Sequence, residues 1–195
     1  MYQVIGTRMS RAFRVLWALE EMGLDYTHIP AMPGSTEAKD VNPVGKVPVL
    51  VVDGIPITDS MAILTYLTDK HGQLTAPAGT MARARQDSLS HMILDEFDAV
   101  LWMASKHSFI FPQERRVPEI KPSLKWEFER AQERLVARMG TGPFLMGAAL
   151  SVPDILFVHC LGWSIAAKFP PLHPALKAYA KALRARPAYQ RAAAL

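Results

Sequence analysis

Two short groups of residues in the first third of the sequence, Val47-Pro48 and Asp59-Ser60, have the types and spacing to hold a small anionic ligand. An X-Pro peptide bond adopts the cis form at modest cost, and the resulting turn exposes main-chain groups that a β-ladder would otherwise use. A serine at a helix start presents its hydroxyl and the first backbone N–H groups to a carboxylate. The alternatives are that Pro48 starts a strand in the trans form and that Ser60 is only a helix N-cap.

The elements that must position these residues alternate along the first part of the chain. Short β-prone runs predict strands, and apolar residues at helical spacing predict helices that begin at Arg11 and at Ser60. The Asp53-Gly54 pair between two apolar runs predicts a β-hairpin. The predicted order is β-α-β followed by β-β-α, with strands at 2–5, 26–29, 47–52 and 55–57 and helices that end near Gly23 and Gly72.

The second part of the chain shows no strand pattern after Thr80, and helical spacing predicts helices over 81–107, 121–140, 152–168 and 174–184. Ser151 and Asp154 have the spacing of a capping box at the start of the third of these helices, so we assign Asp154 to folding and expect its loss to cost about 1 kcal/mol. A mixed sheet and an all-helical half cannot share one sheet. The predicted fold class is therefore α+β, with domains at 1–73 and 81–195.

Composition limits the classes of function and the compartment. Basic residues exceed acidic residues by four, but they are scattered, which disfavours a nucleic-acid interface and favours a weak positive field that attracts small anions. The single cysteine, Cys160, excludes an internal disulfide and indicates a reducing, cytoplasmic setting; its apolar surroundings favour a buried, inert thiol over a reactive one. No apolar run approaches the roughly 20 residues of a membrane span.

Four segments of the sequence, in order and at matching spacing, resemble the glutathione transferase family: 10–21, 42–50, 59–67 and 147–155. The resemblance covers essentially the whole chain. It implies a thioredoxin-like βαβ-ββα domain at 1–73 that binds glutathione, and an all-helical domain at 81–195 that completes a pocket for an electrophile. It further implies a homodimeric, cytoplasmic detoxification enzyme that uses glutathione as co-substrate and holds no metal.

The resemblance also implies roles for individual residues. The backbone of Val47, before Pro48, would pair with the cysteine part of glutathione, and Ser60 would bind the γ-glutamyl carboxylate. Asp59 would meet the γ-glutamyl ammonium. The resemblance also implies Lys46 as the contact of the glycine carboxylate, with Lys39 as a second candidate. Arg11 is implied as a further glutathione-binding residue.

The reactive step requires glutathione as its thiolate, which a hydrogen-bond donor at the start of the first helix would stabilise. We assign this donor to Ser10. Counting back from the Arg14-Val15 pair could instead place the family's serine position on Met9, which has no donor; Thr7, Arg11 and backbone N–H groups are the alternatives.

The electrophile pocket should be apolar and lie between the first helix and the helical half, with Trp102, His107 and Phe111 as lining residues and Phe109 and Trp163 nearby. The alternatives are that these aromatic side chains belong to the core and that His107 is structural. The leading function is conjugation of glutathione to small hydrophobic electrophiles. The alternatives are a non-catalytic binding or interaction protein of the same fold, and a glutathione-dependent peroxidase or isomerase.

Overall fold

The computed structural model describes residues 1–195, and the chain divides into two units. The first unit comprises residues 1–80 and 184–195, and the second comprises residues 81–183. The predicted division at 73 and 81 stays a prediction, and the structure groups the last twelve residues with the first unit. None of the helices is both long enough and apolar enough to cross a membrane.

The first unit is built on a four-stranded mixed sheet with the order β2-β1-β3-β4. The β1 strand pairs with β2 in parallel and with β3 antiparallel, and β3 pairs with β4 antiparallel. Its strands are β1 (Tyr2–Ile5), β2 (Tyr26–Ile29), β3 (Val49–Val52) and β4 (Ile55–Thr58), and its helices are α1 (Ala12–Met22), α2 (Thr36–Val41), α3 (Ser60–His71) and, from the C-terminal segment, α9 (Pro187–Ala194).

Local chemistry explains why the sheet forms where it was predicted. Asp53 and Gly54 both have positive φ, 50° and 85°, as a two-residue turn between antiparallel strands requires, so the predicted hairpin is confirmed. The β3 strand is buried along its whole length, which explains its run of Val and Leu without polar alternation. The predicted order of β-α-β and β-β-α is likewise confirmed.

The α9 helix, which the sequence analysis did not predict, packs against α1. The Tyr189 ring lies 5.1 Å from the Phe13 ring and 5.0 Å from the Trp17 ring, both edge to face. Arg186, directly before α9, donates two hydrogen bonds of 2.7 Å to the Glu21 carboxylate. The first unit therefore includes a helix that follows the second unit in sequence.

The second unit is entirely helical, which confirms the α+β fold class. Two π-helical turns, Leu94–Ala99 and Lys106–Ile110, interrupt the helix predicted over 81–107. The regular helices are α4 (Met81–Ile93), α5 (Val100–Ser105), α6 (Lys121–Arg138), α7 (Val152–Ala166) and α8 (Pro174–Arg184), with short 3₁₀ turns at Gln113–Arg115 and Pro118–Ile120.

A capping box begins the α7 helix, as predicted. Asp154 accepts from the backbone N–H and the hydroxyl of Ser151, at 2.8 and 2.9 Å. The same carboxylate also accepts from the Leu145 N–H at 2.8 Å and from the Tyr179 hydroxyl at 2.5 Å. Asp154 therefore joins the start of α7 to the preceding loop and to α8.

Candidate functional site

Three chain segments meet at one end of the sheet in the first unit. In the β3–β4 pair Val49 lies opposite Thr58, so the chain enters β3 through Val47-Pro48 at the end of the sheet where it leaves β4 through Asp59-Ser60. In the β1–β3 pair Ile5 lies opposite Val49, so the loop that follows β1 starts at the Val47-Pro48 end of the sheet. The Val47–Pro48 peptide bond is cis. The predicted Val47-Pro48 and Asp59-Ser60 groups therefore lie side by side.

Gly6 allows these segments to approach closely. Its φ is +143°, and a Cβ at this position would lie 2.9 Å from the Cβ of Ala12 and 3.0 Å from the Cβ of Val47. Any other residue would separate the start of α1 from the Val47-Pro48 turn. The sequence analysis noted Gly6 only as the end of β1; its position between a strand and the Thr7–Arg11 loop was the signal for a close approach.

The α3 helix begins at Ser60, as predicted, and Asp59 is its N-cap. The Oδ1 of Asp59 accepts from the N–H groups of Met61 and Ala62 at 2.8 and 3.1 Å, so the alternative that Ser60 is only an N-cap is wrong. Aspartate and serine are both good capping residues. The backbone conformation at Asp59, with a positive φ of 72°, makes Asp59 the N-cap. Ser60 is then the first helical residue, with its hydroxyl free of the capping role.

The Ser60 side chain is hydrogen-bonded to Arg14, a residue that was not predicted to belong to the site. The Nη1 of Arg14 donates a 3.3 Å hydrogen bond to the Ser60 hydroxyl oxygen, and Arg14 is fully buried in α1. The Ser60 hydroxyl therefore accepts from a cation and can donate its own proton to a ligand oxygen. The signal for Arg14 was a charged residue within the apolar run from Ala12 to Leu19.

The hydroxyl of Ser10, the predicted thiolate donor, already has partners in the protein. It donates a 2.7 Å hydrogen bond to the Thr7 carbonyl and accepts from the Ala12 N–H at 3.1 Å. A serine hydroxyl has one proton, so in this arrangement Ser10 has none left for a thiolate. The Thr7 hydroxyl accepts from the Met9 N–H at 3.3 Å, and its own proton has no acceptor in the protein.

The remaining candidates for glutathione contact lie around this site at the surface. Lys46 is exposed, and its carbonyl accepts a 2.9 Å hydrogen bond from the Asn42 side chain, which fixes the turn before Val47. Lys39 is also exposed and lies on α2. Arg11 is half-buried directly before α1, where its side chain makes no cap.

The three residues predicted to line the electrophile pocket all belong to the second unit. The Nδ1 of His107 accepts a 3.0 Å hydrogen bond from the Val117 N–H, and its ring lies 5.2 Å from the Phe111 ring. The Trp102 ring lies 6.5 Å from the Trp163 ring. His107 thus has a structural contact, as its alternative interpretation expects, and the pocket itself stays a prediction.

Part of the chain matches a known protein family and several known proteins. Residues 8–70 match the family described as Glutathione S-transferase, N-terminal domain. Glutathione S-transferase Z2 of Arabidopsis thaliana is 44% identical over 69 residues, 33% of this chain and 31% of that protein. The probable maleylacetoacetate isomerase of Caenorhabditis elegans is 36% identical over 44% of this chain and 42% of its own length. The chain thus matches less than half the length of these two relatives.

Longer matches extend over both units. Glutathione S-transferase 4 of Zea mays is 26% identical over 92% of this chain and 86% of its own length. The crystal structure of a glutathione transferase from Methylococcus capsulatus has a TM-score of 0.78 and 26% identity, over 98% of this chain and 97% of that chain. A sphingomonad glutathione S-transferase complexed with glutathione has a TM-score of 0.81 and 25% identity, over 97% and 96%. Residues 8–70 therefore belong to the N-terminal domain family of the glutathione S-transferases, and similarity to glutathione S-transferases extends over both units.

Proposed function

We propose that this protein is a glutathione transferase that binds glutathione at the end of the sheet where Thr7, Val47 and Ser60 meet. The proposal rests on the proximity of these segments at one end of the sheet. There the main-chain groups beside the Val47-Pro48 turn lie next to the N-terminus of α3. Val47 would pair with the cysteine part of glutathione through its backbone. The electrophile would be small and hydrophobic, with Trp102, His107 and Phe111 as its proposed contacts.

The γ-glutamyl end of glutathione would meet complementary charges at the start of α3. Its carboxylate would accept from the Ser60 hydroxyl and backbone N–H, at the positive end of the helix. The Arg14 guanidinium behind Ser60 adds positive charge in a buried position, where it is weakly screened. Because Asp59 caps the helix through Oδ1 alone, its Oδ2 would receive the ammonium group. Lys46 and Lys39 remain candidates for the glycine carboxylate, and Arg11 remains a further candidate for glutathione contact.

The geometry favours Thr7 over Ser10 as the donor that stabilises the thiolate. Thr7 lies in the loop that follows β1, at the Val47-Pro48 end of the sheet, and the proton of its hydroxyl has no acceptor in the protein, whereas the proton of Ser10 is donated to the Thr7 carbonyl. A charge-assisted hydrogen bond contributes about 1.5–3 kcal/mol, enough to lower a thiol pKa by about one to two units. Ser10 would then act by holding the loop and the start of α1.

The test measures the pKa of bound glutathione from its thiolate absorbance, together with displacement of halide from a generic aryl halide. We expect Thr7→Ala to raise that pKa and to lower kcat/KM about 10- to 100-fold, and Thr7→Ser to retain most activity. Ser10→Ala should mainly destabilise the loop. Full activity in Thr7→Ala with loss in Ser10→Ala would return the donor role to Ser10. Glutathione bound with an unshifted thiol pKa would refute the transferase function and favour a binding module.

A glutathione-dependent isomerase is the second candidate function. It is favoured by the match to the C. elegans probable maleylacetoacetate isomerase and to the rat maleylacetoacetate isomerase, which is 39% identical over 69 residues. An isomerase needs the same thiolate but releases glutathione unchanged. Incubation with maleylacetoacetate and a catalytic amount of glutathione separates the two functions, because only an isomerase turns over without consuming glutathione.

We also propose that the protein is a homodimer, which light scattering of the purified chain tests.

A further inference from the structure

The second unit contains a cluster of three metal-ligating side chains that the proposed function does not use. Asp98 lies in the π-helical turn Leu94–Ala99, and His159 and Cys160 are successive residues of α7. The carboxylate oxygen, the imidazole nitrogen and the sulfur all lie within 4.8 Å of one another. Single π-helical turns inside helices are frequent at functional sites.

The spacing of these atoms suits a transition metal. The Sγ of Cys160 lies 3.9 Å from the Oδ2 of Asp98. Three atoms no more than 4.8 Å apart lie within about 2.8 Å of a common point, whereas zinc lies about 2.0–2.3 Å from such ligands. Inward side-chain movements of at most about 0.5–0.8 Å would therefore complete three bonds.

Burial gives this cluster an electrostatic reason to hold a cation. Asp98 is 6% exposed and Cys160 is fully buried, so charges at this place are weakly screened and a cation would interact strongly with the carboxylate. A divalent ion between the carboxylate and the sulfur would neutralise both. His159 is only half-buried, so its side provides a route from solvent and a position for a fourth ligand.

We propose that Asp98, His159 and Cys160 bind one zinc-class divalent ion. A thiolate and an imidazole select zinc over magnesium or calcium, which prefer oxygen ligands. Binding would form one bond from each side chain to the metal and release the Cys160 thiol proton to solvent. This departs from the expectations of a metal-free protein and an inert thiol, and it does not depend on the proposed glutathione activity.

The test is a titration of the chelator-treated full chain with Co²⁺, without glutathione because its thiol also binds metals. Cys160 is the single cysteine of the chain, so a thiolate-to-cobalt absorption band can come from no other side chain. We expect one Co²⁺ per chain, a near-ultraviolet band, displacement by Zn²⁺, and a rise in Tm with Zn²⁺. Cys160→Ala should abolish the band.

Variants of the other two ligands complete the test. Asp98→Asn and His159→Gln should each weaken Co²⁺ binding at least tenfold, whereas His91→Gln, at an exposed histidine of the same unit, should not change it. Lack of the band in the folded wild-type chain overturns the proposal whether or not the variants fold. Unchanged affinity in His159→Gln also overturns it, because that half-exposed side chain can be replaced with little effect on folding.

Discussion

Replacing Asp154 by alanine should destabilise the protein far more than the loss of a helix cap. The carboxylate accepts four hydrogen bonds, from Leu145, Tyr179 and twice from Ser151, and all of these residues are less than 10% exposed. Each buried polar group left without a partner costs about 1–3 kcal/mol. Removing a buried charge offsets part of this, so we expect a loss of about 4 kcal/mol rather than the 1 kcal/mol of a simple cap.

The free energy of unfolding can be measured by urea denaturation with tryptophan fluorescence, because three of the four tryptophans, Trp102, Trp126 and Trp163, belong to the second unit. For a chain of this length, 4 kcal/mol corresponds to a decrease in Tm of about 10 °C. Asp95→Ala, at an exposed aspartate of the same unit, is the matched control and should change stability by less than about 0.5 kcal/mol. A loss below 1 kcal/mol for Asp154→Ala, or reduced glutathione affinity at unchanged stability, would refute the reasoning.

The pH dependence of the same variant gives a second measurement. Burial raises the pKa of the Asp154 carboxyl, although its four hydrogen bonds oppose the shift. A pKa raised in the folded state means that the folded chain binds more protons, so this group's contribution to stability declines as pH rises from about 4, the unfolded value, through the folded value. Asp154→Ala should lack this slope, and an unchanged pH profile would show that another group causes it.

Three further variants, two of them with a control variant, test the first unit. In urea denaturation, Gly6→Ala should lower the free energy of unfolding by about 2 kcal/mol or more, and it should also weaken glutathione binding. Gly23→Ala, where a Cβ meets no atom within 4 Å, should lower the free energy of unfolding by only about 1 kcal/mol. Equal losses of stability in the two variants would contradict the close approach at Gly6. Ser60→Ala should raise the Kd for glutathione about tenfold by calorimetry, and an unchanged Kd would remove Ser60 from the site. Arg186→Ala should cost about 3 kcal/mol because the side chain of its partner, Glu21, is only 7% exposed. Arg191→Ala should cost less than about 1 kcal/mol, because both side chains of that pair are more exposed; the reverse order would contradict this.

The features that the sequence predicted correctly depend on neighbouring residues. The Asp53-Gly54 turn and the pairing of Ser151 with Asp154 are determined within four residues, so their geometry follows from residue type and spacing. Even there, a local rule could not decide whether Asp59 or Ser60 caps α3. Both side chains cap helices well, and the backbone conformation at Asp59 made the choice.

The features that were missed depend on contacts between distant residues. Arg14 is recognisable as a site residue only when α1 packs against α3 and brings it to Ser60. The α9 helix has few large apolar side chains, and Tyr189 shows its role only through its contacts with Phe13 and Trp17. Likewise, the choice between Thr7 and Ser10 depends on a hydrogen bond that residue types alone do not predict.

The place of α9 in the first unit also affects how the protein is made. The β-sheet and α1 are synthesised early, but the helix that covers Phe13 and Trp17 follows the 103 residues of the second unit. At a translation rate of about 5–20 residues per second, this apolar surface of the nascent chain stays without the α9 helix for about 5–20 s. The N-terminal half therefore leaves the ribosome incomplete, and it depends on chaperones or on its partial core until the last helix arrives.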